Sequence, residues 1–293
     1  MSDGPDSSGL ADVPRRCGAQ AACPDGVAAT GAGWPLGAGH LLLAATLSGI
    51  GLAGLAGGRF NSIWQGVPVG LPGRATLAWL CAGVSLACGL GLLVPRAAAA
   101  AARFLLIWLT LWLLLIKGPP LIASPAKEVL YESAGETAVL VACVWVLYAR
   151  LARAWDARHV RFAVGAGGVR LARALYALAM IAFGLSHVIY VRLTAPLVPA
   201  WLPGHVLWAY LTGAAYIAAA VAILTGVLSR LAAALCALQM ALFTLLVWVP
   251  PLAAGHAAAG QWNELGVSSA LTAAACVLAD SFRGAPWLAA GQR

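Results

Sequence analysis

The chain has 293 residues, 62% of them hydrophobic and 10% charged, with a mean hydropathy of +0.87. Soluble domains are about half apolar and a quarter charged, so composition excludes a water-soluble globule. The formal net charge of +8 is scattered between apolar runs. It is not gathered on one soluble face, which excludes a nucleic-acid partner and leaves the lipid bilayer as the medium.

Residues 1–37 carry Asp3, Asp6, Asp12 and Asp25 among Gly and Pro without helical periodicity, and read as a disordered tail. No basic segment precedes an early apolar core, so a cleaved signal peptide is not expected; the first membrane helix serves as its own signal. From His40 onward eight apolar runs reach the roughly 20 residues that cross a bilayer: 38–58, 75–95, 98–117, 134–151, 172–191, 206–226, 231–250 and 265–282. The fourth and eighth are short and rich in Ala and Val. The expected fold class is an all-α membrane protein of about eight transmembrane helices.

Orientation follows from Lys and Arg in the short loops. One face receives Arg15, Arg16, Arg96, Arg150, Arg153, Arg158, Arg161, Arg170, Arg173, Arg230, Arg283 and Arg293; the other receives Arg59, Arg74, Lys117, Lys127 and Arg192. Arg103 lies inside the third span and is expected to snorkel. Both termini are therefore expected in the cytoplasm, in a bacterial inner membrane, with loops 1–2, 3–4, 5–6 and 7–8 outside. The connection 152–171 gathers Asp156, Arg158, His159 and Arg161 and reads as solvated. The seven cysteines form no C-x-x-C pair and no zinc spacing, so they read as small packing residues.

A shift of 131 residues aligns the chain with itself. Val67-Pro68-x-x-Leu71-Pro72-Gly73 falls on Val198-Pro199-x-x-Leu202-Pro203-Gly204, and Pro119-Pro120-Leu121 on Pro250-Pro251-Leu252. Tyr131 falls on Trp262 and Gly135 on Gly266. The expected organisation is two parallel four-helix-bundle repeats, 38–151 and 172–282, with 152–171 as a cytoplasmic linker and 283–293 as a cytoplasmic tail. Four helices per unit is an even number, so both units insert in the same direction. The proline pairs are expected to stop helices three and seven.

The polar residues gather on the outer face. The second repeat offers His187, Tyr190, Arg192, Trp201, His205, His256, Trp262, Asn263 and Glu264; the first offers Asn61, Trp64, Gln65, Lys117, Glu128, Tyr131, Glu132 and Glu136. His187 lies about a turn inside the end of helix five, where an ionisable group is costly and functional by default. An interhelical hydrogen bond is its plain alternative. Glu264 opens helix eight, where a carboxylate also suits the helix dipole. Trp64, Trp201 and Trp262 read as interfacial anchors or as walls of a site for a flat lipophile. Glu128, Glu132 and Glu136, four apart, read as a solvated helix entry. The spacing of His187, His205, His256 and Glu264 matches no metal-ligand pattern, so no metal is expected.

Phe183-Gly184-Leu185-Ser186-His187-Val188-Ile189-Tyr190, Val198-Pro199-Ala200-Trp201-Leu202-Pro203-Gly204, Trp208-Ala209-Tyr210-Leu211-Thr212-Gly213 and Trp262-Asn263-Glu264-Leu265-Gly266 together resemble the DoxX family of small four-helix membrane proteins. The resemblance covers about 173–282 and implies a four-helix bundle per unit. For the family's namesake it implies a membrane complex that oxidises thiosulfate and passes electrons to quinone. The first repeat departs from the pattern, with Ala56 at the His187 position and Gly70 at the Trp201 position. The site expected on this basis is His187, Tyr190, Trp201, His205, Trp262 and Glu264. No intrinsic cofactor motif is present; quinone is the cofactor class implied, with a partner subunit supplying the redox centre. A transporter of a small or lipophilic solute, with its pathway between the repeats, and a non-catalytic scaffold stand beside this reading.

Overall fold

The computed structural model of the chain describes residues 37–60, 63–152, 154–255 and 258–290. Among them eight long helices follow one another: α1 Ala38–Gly57, α2 Arg74–Leu93, α3 Ala98–Ala123, α4 Glu128–Leu151, α5 Gly165–Ile189, α6 His205–Thr225, α7 Ser229–Ala253 and α8 Ala259–Ser281. The first seven are long and apolar enough to cross a membrane. Helices satisfy their own backbone polar groups in lipid, and the chain is a polytopic all-α membrane protein. The last, α8, has the length but opens on Gln261, Asn263 and Glu264 and ends near Asp280. Such a helix needs protein neighbours, and α8 packs against α1, α4 and α7.

Each helix packs on the next in the chain, and α8 returns to α1. Inside this ring α4 packs on α8 and divides it. One side is bounded by α1, α2, α3, α4 and α8, the other by α4, α5, α6, α7 and α8. The last helix of each half thus leans on the first helix of the other half.

Corresponding features lie 131 residues apart. Helix α2 opens at Arg74 and α6 at His205, α3 at Ala98 and α7 at Ser229, α4 at Glu128 and α8 at Ala259. The V-P-x-x-L-P-G loops make the same turn, with Leu71 N–H donating to Pro68 O (3.2 Å) and Leu202 N–H to Pro199 O (2.9 Å). Both loops end on a glycine in the left-handed region, Gly73 at φ 71° and Gly204 at φ 73°, where a side chain would strain the backbone.

The proline pairs do not stop their helices. Instead α3 passes through a π turn at Leu113–Lys117 into Gly118–Ala123, and α7 through a π turn at Thr244–Trp248 into Val249–Ala253. The wider turn starts a new α-helical segment, and Pro119 and Pro250 fall in its first turn, where a missing N–H costs little. Three other boundaries move outward from those expected: α4 begins at Glu128, α5 at Gly165 and α8 at Ala259.

In the linker Arg158, His159 and Arg161 are exposed as expected, and Asp156 is not. The segment forms a short helix, Ala154–His159, and a 3-10 turn, Arg161–Ala163, and Asp156 is only 5% exposed. The Asp156 carboxylate accepts hydrogen bonds from Tyr148 Oη (2.7 Å) and Arg103 Nη1 (3.3 Å), which makes burial tolerable. Arg103 therefore pairs with the linker instead of reaching outward alone. Replacing Asp156 by Asn keeps an acceptor but removes the charge facing Arg103. A loss of about 1–3 kcal/mol is expected, read as a lower melting temperature in detergent.

Candidate functional site

In the half bounded by α4, α5, α6, α7 and α8 lies a cavity of about 190 Å³. Its polar lining comes from all five helices: Glu132 and Glu136 from α4, His187 from α5, Tyr216 from α6, Thr244 from α7, and Glu264 with Ser268 from α8. Phe183, Met240, Phe243 and Trp248 supply apolar walls. Trp248 also carries a buried indole N–H without a hydrogen-bond partner.

His187 is fixed by its own helix. Its Nδ1 lies 2.8 Å from Phe183 O, and a carbonyl can only accept. Nδ1 therefore carries hydrogen, and in the neutral ring the lone pair is left on Nε2. The Tyr216 ring stands edge-on to the imidazole at 5.5 Å. The backbone that holds this pair comes unusually close: a Cβ on Gly213 would lie 2.8 Å from His187 Cβ, and one on Gly184 would lie 2.7 Å from Gly213 O. Replacing Gly213 by Ala is expected to push His187 away and cost about 1–3 kcal/mol through overpacking. The check is thermal stability beside the ligand affinity of the variant.

The ion pairs among the described residues are Arg103–Asp156 and Asp280–Arg283. Glu132, Glu136 and Glu264 take part in neither, although Glu136 lies in the electrostatic field of Lys117 and of the other two. Among the described residues the lining contains no Lys or Arg. Among the described residues no three His, Cys, Asp or Glu converge as a metal site.

Of the residues expected from sequence, His187 and Glu264 meet in this cavity. Tyr190, Trp201, His205 and Trp262 do not line it. Trp201 and Trp262 are 71% and 59% exposed, as interfacial anchors are, and His205 is the first residue of α6. His256 and Asn61 lie outside the described residues. The glutamates of α4 are not a solvated helix entry: the early start of α4 carries Glu132 and Glu136 inward to the cavity, and both carboxylate oxygens of Glu128 are buried.

The corresponding place in the first half is filled. Trp64, 1% exposed, donates from Nε1 to Ser85 Oγ (2.7 Å) and packs edge-on against Trp112 with ring centroids 5.1 Å apart. Residues 131 positions later are Ala195, Tyr216 and Phe243, so the large ring of Trp64 is exchanged for a methyl group. Lys117, 6% exposed, donates from Nζ to Ser133 Oγ (2.6 Å). Their counterparts are Trp248 and Glu264. Tyr216 and Trp248 are not among the residues expected from sequence; the signal lies in positions where the halves differ in size or polarity, Ser85 against Tyr216 and Lys117 against Trp248.

Comparison of the chain with protein-family models, with curated proteins and with solved structures gave no match.

Proposed function

We propose that the chain carries a small solute that presents cationic hydrogen-bond donors, taken up at Glu132, Glu136, Glu264 and His187. The observation that carries this reading is the charge of the lining: three carboxylates and an imidazole line one cavity in which the described residues include no Lys or Arg. In a water-poor interior opposite charges attract far more strongly than in water, so such a lining selects cations and donors. At about 190 Å³ the space is below the ~300 Å³ at which drug-sized ligand pockets begin, which favours a small solute. The lining draws on helices of both halves, as duplicated carriers do at repeat interfaces.

A second reading is a quinone-associated subunit of the DoxX type. The aromatic walls Phe183, Tyr216, Phe243 and Trp248 around a single His favour it. The carboxylates and the His187 Nε2 lone pair then suit the reduced quinol, which donates O–H to them, with a partner subunit taking the electrons.

Either reading goes with an architecture of eight spans in two parallel four-helix units, 38–151 and 172–282. Its support is the recurrence of helix starts, turns and π segments at one offset of 131 residues. The Arg-rich face supports cytoplasmic termini in a bacterial inner membrane.

The test uses the full chain in proteoliposomes and records charge movement on addition of a panel of small inorganic and organic cations. A saturable signal that is lost in Glu264→Gln is expected. No signal with any cation, together with co-purified quinone that falls in His187→Ala, would replace the first reading with the second.

A further inference from the structure

The first half contains an internal cation at the position that corresponds to the cavity. Lys117 Nζ lies 2.6 Å from Ser133 Oγ, and it comes within 3.2 Å of the point where a Cβ on Gly66 would sit. The residues 131 positions after Lys117, Ser133 and Gly66 are Trp248, Glu264 and Leu197, and all three line the cavity of the second half. Both Lys117 and Trp248 are the last residues of their π turns, so the comparison joins like positions in like backbone. The point held by the Lys117 ammonium therefore corresponds to a point inside the cavity, next to Glu264.

The charges around the two points are transposed. In the first half the cation is tethered, and the position of Glu264 is a neutral serine. In the second half the tether is replaced by an indole and the serine by a carboxylate, with Glu136 and Glu132 beside it. A serine hydroxyl, with Glu136 in electrostatic reach, anchors an ammonium held by its own chain. A free ligand must be captured from solution, and a carboxylate supplies the charge-assisted hydrogen bond that does so. The indole of Trp248 adds an aromatic face against which an ammonium and its alkyl stem can lie.

We infer that the cavity takes a primary alkylammonium ligand, seated with its nitrogen on Glu264 as the Lys117 ammonium is seated on Ser133. This rests on the reading of the chain as a carrier of a cationic donor and names the chemical class of that solute. A bare inorganic cation would leave the apolar walls unused. A quaternary ammonium has no N–H to give to Glu264. The lysine side chain is itself a butylammonium, which makes n-butylammonium the matching probe and butan-1-ol its neutral control.

The experiment measures binding to the full chain in lipid nanodiscs, by tryptophan fluorescence and by thermal stabilisation, for wild type, Trp248→Lys, Trp248→Met and Glu264→Ser. Wild type is expected to bind n-butylammonium at least about tenfold more tightly than butan-1-ol or tetramethylammonium. Trp248→Lys, which ties an ammonium into the cavity, should lose at least about tenfold in affinity, and more than Trp248→Met, which gives up the aromatic face but brings no charge. A folded Trp248→Lys that binds n-butylammonium like wild type overturns the inference and leaves the cation reading intact. Tighter binding of tetramethylammonium or an inorganic cation than of n-butylammonium does the same. Absence of binding by every cation overturns both. If Trp248→Lys does not fold, Glu264→Ser decides: loss of the preference for ammonium over alcohol supports the inference, and retention overturns it.

Discussion

Glu264→Gln and Glu136→Gln are each expected to weaken binding of the cationic ligand by about 10- to 100-fold, measured by calorimetry in nanodiscs. The substitution is nearly isosteric, so packing in α4 and α8 is disturbed little. What changes is charge and donor pattern: a carboxylate that only accepts becomes an amide that also offers N–H groups to a ligand made of donors. A hydrogen bond to a charged group is worth about 1.5–3 kcal/mol, which corresponds to that range of affinity. The two carboxylates face the same small volume, so the double variant should lose less than the sum of the singles. Glu128→Gln, one turn before Glu132 and outside the cavity lining, is the internal control and should leave affinity within a few-fold. Unchanged affinity in both Glu264→Gln and Glu136→Gln would remove the carboxylates from the binding reaction, and with them the charge argument for a cationic solute.

Much of the helical framework was legible because crossing a bilayer leaves so few choices. Runs of apolar residues bounded by Arg, Pro and Gly gave all eight helices, with errors at the ends of α4, α5 and α8. At α4 and α8 the cause is a polar residue near the helix start, Glu132 or Glu264, which reads as belonging to water, whereas neighbouring helices enclose it in a polar cavity. The proline pairs misled for a different reason: a π turn absorbs them, and nothing in local composition announces a π turn. At the site, His187 and Glu264 were legible as ionisable groups at helix ends. That Glu136 joins them depends on α4 packing against α5 and α8, which no local pattern encodes. Trp201 and Trp262 belonged to the same sequence motifs but point to the surface, because motif membership does not fix which face of the bundle a residue meets.

The inequality of the two halves has a direct test in Trp64. Replacing it by Ala is expected to destabilise the protein by about 3–5 kcal/mol, the usual range for deleting a large buried aromatic. Part of that loss is the hydrogen bond to Ser85 Oγ, whose hydroxyl still has the Cys81 carbonyl as a partner (2.9 Å). The rest is the ring itself, buried against Trp112. The vacated space would be walled chiefly by apolar groups, and Lys117 would remain on Ser133, so no second binding event should appear in calorimetry. The reciprocal variant, Ala195→Trp, places an indole at the corresponding position of the second half. There it meets Tyr216 in place of Ser85 and Phe243 in place of Trp112. Tyr216 leaves less room than a serine, so the new ring should occupy the cavity and abolish binding, with a stability change smaller than that of Trp64→Ala. If Ala195→Trp folds and binds as wild type does, the cavity does not lie where the filled half predicts. The difference between the halves would then reside in charge alone.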